Sequence, residues 1–142
     1  MMRAFITGAT GQDGTYLTQQ LYALGYEVHG LVRPGDPAPT DPGLLTVHYG
    51  DLTDRPAVTA ILDDIRPDQI YNLGGLSSVA FCWTEPVLAA EVNGAAAVFL
   101  MQAAWNLQEK TGDAVSFVQA SSAEMFGEAE ISPQNEIGRA HV

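Results

Sequence analysis

The chain has 142 residues, with six Lys and Arg against 17 Asp and Glu, a formal charge of −11 at neutral pH. Such a surface repels nucleic-acid backbones and anionic lipid headgroups, so neither nucleic acid nor membrane is an expected partner. With 46% hydrophobic residues the chain carries enough apolar material for one ordinary core, and Cys82, the single cysteine, excludes an internal disulfide and a thiolate zinc cage.

A cysteine content this low fits a reducing compartment. The first ten residues lack the basic region and long apolar run of a signal peptide, so a cytoplasmic location is expected. His29 and His48 stand far apart without a partner at helical ligand spacing, so no metal site is expected, and His29 reads as a strand residue.

Short apolar runs alternate with longer segments of helical period, the pattern of a parallel sheet with crossover helices. Residues 3–7 predict a first strand. Residues 12–24 predict a helix with Leu17, Leu21 and Leu24 on one face, closed by Gly25. Residues 26–33 predict a second strand, and prolines 34, 37, 39 and 42 deny regular structure to the loop after it. Residues 44–49 resume as a third strand.

Thr53 or Asp54 can cap the next helix, where Val58, Ile61, Leu62 and Ile65 form an apolar stripe before Pro67. Residues 69–73 predict strand four. A long helix then starts at Thr84, Glu85 and Pro86, with Leu88, Val92, Ala96, Phe99 and Ala103 as its buried face and Gly112 as its stop. Its most apolar part, residues 94–105, is too short to span a bilayer and reads as a core helix; Trp83 and Trp105 read as packing aromatics. Residues 115–119 predict strand five.

The right-handed crossover rule makes this an α/β fold, a Rossmann-type doubly wound parallel sheet in strand order 3-2-1-4-5, truncated after strand five, where the alternation fails. Residues 1–136 are read as this incomplete NAD(P)-binding domain. Residues 137–142, Ile-Gly-Arg-Ala-His-Val, coincide with an in-frame reading of a common sequencing adapter, ATC GGA AGA GCA CAC GTC, and are expected to be a non-native tail.

Between the first strand and the first helix stands Gly8-Ala-Thr10-Gly11-Gln12-Asp13-Gly14. Gly8 allows a tight turn, Gly11 lets a diphosphate approach the backbone, and Gly14 lets helix pack closely on strand; the helix amino terminus favours the anion. In dinucleotide folds an acid at the end of strand two holds the ribose hydroxyls, whereas a cation accepts the 2′-phosphate of NADP. Arg33 occupies that region and favours NADP over NAD. Asp51 and Leu52 would flank the adenine, and Leu73 and Gly74, with Gly75, would pass beneath the nicotinamide half. At the end of strand five Ser122 could hydrogen-bond a reacting alcohol and Glu124 could act as general acid or base.

Gly8 to Gly14 with Thr15-Tyr-Leu17, Gly25-Tyr-Glu-Val-His-Gly-Leu-Val-Arg33, His48-Tyr-Gly-Asp-Leu-Thr-Asp54, Tyr71-Asn-Leu73 and the run from Gln119 to Gly127 together resemble the GDP-mannose 4,6-dehydratases of the extended short-chain dehydrogenase/reductase superfamily. The resemblance implies a lyase that holds NADP without net consumption and takes GDP-mannose as substrate. Carbon 4 is oxidised, water leaves across carbons 5 and 6, and the hydride returns to carbon 6, giving GDP-4-keto-6-deoxymannose. It also implies that Ser122 stands near the carbon-4 hydroxyl, that Glu124 handles the proton on carbon 5, and that the full-length protein is a homo-oligomer.

The chain departs from the family at three places. The superfamily's Tyr-x-x-x-Lys segment does not occur in it, so the chain alone is expected to be inactive. Gly74-Gly-Leu-Ser-Ser78 replaces the family's Ala-Ala-Gln-Ser-His, and Pro34 follows Arg33 where relatives have a second arginine. Two other readings share the glycine turn: a related nucleotide-sugar epimerase or reductase, and a non-catalytic dinucleotide sensor, for which Ser122 and Glu124 would serve no purpose.

Overall fold

Five short runs rich in apolar and β-branched residues pair into one parallel sheet. In the computed structural model, which describes residues 1–122, strands β1 (Arg3–Thr7), β2 (Glu27–Val32), β3 (Thr46–Tyr49), β4 (Gln69–Asn72) and β5 (Ser116–Gln119) lie in the order β3-β2-β1-β4-β5. The expected order is the observed one. β1 is the pivot: Thr7 sits opposite Leu31 of β2 on one side and opposite Asn72 of β4 on the other.

The two-residue period of β1 divides the core into two layers. Ala4 and Ile6 join Ala9, Leu21, Val28 and Leu45 on one face, under helix α1 (Gln12–Ala23). Phe5 points the other way, into a cluster with Leu31, Val58, Leu62, Ile70, Leu100 and Ala104. Full burial of Phe5 contributes about 1.5–3 kcal/mol, against about 0–1 kcal/mol for an exposed ion pair.

Helix α1 ends one residue earlier than expected. Gly25, at φ 83°, turns the chain left-handed and its N–H donates to the Tyr22 carbonyl at 2.9 Å. Leu24, expected on the buried face, is thereby left outside the helix and 74% exposed. Helix α2 (Arg55–Ile65) follows its expected stripe, with Asp54 as the cap: its carboxylate accepts the Ala57 N–H at 3.1 Å.

The helical region after β4 departs most from the straight 3.6-residue count. It begins with α3 (Val79–Thr84), which sequence periodicity misses, and continues through α4 (Pro86–Ala90), a π-helical turn over Glu91–Ala95 and α5 (Ala96–Thr111). The wider turn rotates the following residues about the axis. The buried line is therefore Ala96, Ala97, Leu100, Ala104 and Leu107, while Phe99 and Ala103 are only half-buried. Trp83 and Trp105 face outward, at 81% and 58% exposure, against their expected packing roles. The run Pro86–Thr111 spans 26 residues and by length and composition alone could cross a membrane, yet Leu100 and Ala104 pack into the sheet's core.

Candidate functional site: a cleft at the strand-order reversal

In a doubly wound sheet the connections on either side of the pivot leave in opposite directions, which opens a crevice at the carboxyl ends of the strands. Here that crevice is a cleft of about 220 Å³ lined by the β1 exit (Thr7, Gly8, Thr10), the β2 exit (Arg33, Asp36), the β3 exit (Gly50, Asp51, Leu52) and the β4 exit (Gly74, Gly75, Leu76). It brings together seven of the residues singled out from sequence: Gly8, Thr10, Arg33, Asp51, Leu52, Gly74 and Gly75.

Gly8 adopts φ +67°, and a Cβ on it would lie 2.8 Å from the Gly74 nitrogen and 2.9 Å from the Leu73 carbonyl carbon. Only glycine allows the β1 and β4 exits to approach so closely. Gly14 is buried at the first turn of α1, where a Cβ would stand 2.8 Å from Ala9 Cα, so its absence lets the helix settle on the turn. Gly11 caps the helix from extended backbone with no side-chain hydrogen bond to the first turn, and a Cβ there would meet only the Gly8 carbonyl oxygen, at 3.3 Å. The amino end of α1 thus offers main-chain donors with little side-chain bulk, the local chemistry that suits an anion.

Gly11, Gln12, Asp13 and Gly14 continue from Thr10 into α1 and are not among the cleft-lining residues. Leu73 does not line the cleft: its half-buried side chain packs against the α1-side core, while its backbone closes on the turn at Gly8.

At the β2 exit the Arg33 guanidinium donates from Nη2 and Nε to Asp36 Oδ1, at 2.8 and 3.2 Å. At the β3 exit Asp51 Oδ1 accepts the Thr53 hydroxyl at 2.6 Å and the Thr53 N–H at 2.8 Å. These bonds hold the Asp51 carboxyl below the usual carboxylate range, with a smaller contribution from the charge of Arg33.

Three polar features escape sequence reading. The Thr7 hydroxyl donates to Asn72 Oδ1 at 2.5 Å and accepts the Gly74 N–H at 3.0 Å, while Asn72 Nδ2 donates to Gln119 Oε1 at 2.8 Å. This ladder ties the ends of β1, β4 and β5 together; its only signal in the sequence is a polar residue closing each of three apolar strands. Asn93, inside the π-helical turn, accepts the Leu76 N–H at 2.7 Å and donates to the Leu76 carbonyl at 2.9 Å, so the odd turn aims an amide at the β4 exit.

The third feature is a histidine pair. His29 Nδ1 and His48 Nε2 lie 3.0 Å apart, and His29 Nε2 lies 3.2 Å from Glu27 Oε1. Parallel pairing of β2 with β3 brings together what 19 residues of sequence separate. Burial, together with the neighbouring His29, lowers the His48 pKa. Among the described residues no cluster of His, Cys, Asp and Glu suits a metal ion. Ser122 stands exposed after β5; Glu124 lies outside the described residues.

A parallel 3-2-1-4-5 sheet with a glycine turn at its reversal defines a dinucleotide-binding α/β domain of the epimerase/dehydratase class. Solved structures of that class superpose on it. The UDP-glucose 4-epimerase of Thermus thermophilus, in complex with NAD, matches with TM-score 0.68 and 27% identity over 75% of this chain and 34% of its own. The Thermotoga maritima UDP-glucose 4-epimerase, with UDP-glucose, matches in fold with TM-score 0.81, at 20% identity over 99% of this chain and 45% of its own.

Sequence narrows the class. The family model for GDP-mannose 4,6 dehydratase matches residues 5–141, and the chain belongs to that family. GDP-mannose 4,6 dehydratase 1 of Arabidopsis thaliana is 39% identical over 97% of this chain and 42% of its own length, and the Vibrio cholerae GDP-mannose 4,6-dehydratase 40% identical over 94% and 39%. The human enzyme is 36% identical over 94% of this chain and 39% of its own. The chain therefore spans about two fifths of the length of the curated relatives it matches.

Proposed function

We propose that this chain is the amino-terminal, coenzyme-binding part of an enzyme that converts GDP-mannose to GDP-4-keto-6-deoxymannose. What supports this reading is the Gly8–Gly74 approach beside an amino end of α1 that no side chain caps, a kind of helix terminus that suits a diphosphate. The coenzyme is a nicotinamide dinucleotide, with Arg33 favouring NADP. Its chemistry, when bound, is to take a hydride from carbon 4 of the hexose and return one to carbon 6. The turn from Gly8 through Gly14 would hold the diphosphate, Arg33 the 2′-phosphate, and Asp51 with Leu52 the adenosine end; Gly74 would border the nicotinamide half.

In this reading Ser122 hydrogen-bonds the carbon-4 hydroxyl, and Glu124 removes the carbon-5 proton once carbon 4 is a ketone. The protein works in the cytoplasm, without nucleic acid or membrane as partner. The outer face of α5, where Val98, Met101 and Trp105 recur at helical spacing and are 63%, 46% and 58% exposed, supports a homo-oligomer of the full-length protein.

The test is incubation of GDP-mannose with the full-length protein that carries this segment. The expected product has lost one water and carries a 4-keto group, and Glu124→Gln abolishes it. An epimerised sugar of unchanged mass would point instead to the chemistry of the nucleotide-sugar epimerases. The 142-residue chain on its own is expected to leave GDP-mannose unchanged, because it contains no Tyr-x-x-x-Lys segment.

A further inference from the structure

Three residues after Arg33, at the same β2 exit of the cleft, the chain carries an acid that folds back onto the guanidinium. We propose that Asp36 sets the balance between the two nicotinamide coenzymes, restraining the preference for NADP that Arg33 alone would confer and allowing NAD to bind. The inference rests on the dinucleotide reading of the cleft and specifies which form of the coenzyme it accepts.

The local backbone creates the pair. Arg33 leaves β2, Gly35 turns the chain at φ +95°, and the Asp36 N–H donates to the Arg33 carbonyl at 3.0 Å. That closure returns the Asp36 carboxylate onto the guanidinium, where a single oxygen, Oδ1, accepts from both Nη2 and Nε. Both residues line the cleft.

Two consequences follow. A 2′-phosphate arriving at Arg33 must take the guanidinium from Asp36 and then stand beside two carboxylates, Asp36 and Asp51. A ribose that lacks the phosphate meets no such repulsion, because its 2′-hydroxyl can donate to a carboxylate, the arrangement that selects NAD in other dinucleotide folds. The ion pair is open to water, with the Arg33 side chain 56% exposed and that of Asp36 30%, so it is weak enough to be displaced. Asp36 thus biases the competition without closing the site to either coenzyme.

The experiment is calorimetric titration of NADP⁺ and of NAD⁺ into the folded 142-residue chain and into Asp36→Asn and Asp36→Ala. Asp36 is on a surface loop and belongs to neither core cluster, so both variants should fold; circular dichroism checks this. Removing the charge is expected to tighten NADP⁺ by about three- to tenfold, the scale of one partly screened charge pair, and to leave NAD⁺ unchanged or weaker. Equal changes for both coenzymes, or none, would overturn the role of Asp36 while leaving the cleft's reading intact. Failure of both coenzymes to bind the folded parent chain would instead overturn the dinucleotide reading, and this inference with it.

Discussion

The two halves of the sheet are built differently. β1 and β2 are buried along nearly their whole length, between α1 on one face and α2 with α5 on the other, whereas in β5 only Phe117 is half-buried and Ser116, Val118 and Gln119 are exposed. The glycine turn therefore rides on packed strands, while Ser122 follows a strand whose outer edge pairs with no other strand among the described residues. Packing is thus concentrated under the glycine turn, whereas the strand before Ser122 is held to the sheet by its pairing with β4 and by the Asn72–Gln119 hydrogen bond.

The largest expected effect breaks the packed half directly. Phe5→Ala should lower the unfolding free energy by about 3–5 kcal/mol, read by urea denaturation, because it opens a cavity under α2 and α5. Gly8→Ala should cost about 1–3 kcal/mol through its left-handed backbone alone, and the Gly74 contact should make coenzyme binding fall with it.

At the junction of the halves, Asn72→Ala should cost about 1–3 kcal/mol, since it strips a buried partner from Thr7 and releases Gln119. A smaller effect is the pH dependence of the β2–β3 edge. The folded His48 binds its proton less readily than the unfolded chain does, so stability is retained above pH 6.5 and falls as the pH drops below it toward the lowered folded value. Thermal melts across that range should show the slope, and His48→Gln should flatten it. Val118→Ala, at the exposed strand, should shift stability by no more than about 0.5 kcal/mol; a cost as large as that of Phe5→Ala would show that the two halves are packed alike.

The strand order is legible in the sequence because each of the first four strands is a short apolar run followed by a helical stretch or a proline-rich loop, and the handedness of the crossovers leaves few other assemblies. The glycine turn is legible because Gly8 and Gly14 sit where a side chain would clash with backbone. What escapes are arrangements set by tertiary context. The π-helical turn at Glu91–Ala95 leaves no mark on apolar periodicity, yet it shifts the buried face to Leu100, Ala104 and Leu107. Leu73 is expected beneath the nicotinamide half, and only the folded chain shows that its side chain leans on the α1-side core instead of lining the cleft. The His29–His48 pair and the Thr7–Asn72–Gln119 ladder depend on strand register, which no local pattern encodes. Asp36 carries no signal of its own, because a proline-rich loop reads as a spacer until its turn folds a carboxylate back onto Arg33.

The cleft's capacity to hold a nicotinamide dinucleotide is most directly tested by calorimetric titration of NADP⁺ into the folded chain, cleared of any copurified coenzyme. Saturable binding at one site per chain, lost in Gly11→Val, is the expected result. A folded chain that takes up neither NADP⁺ nor NAD⁺ would contradict it.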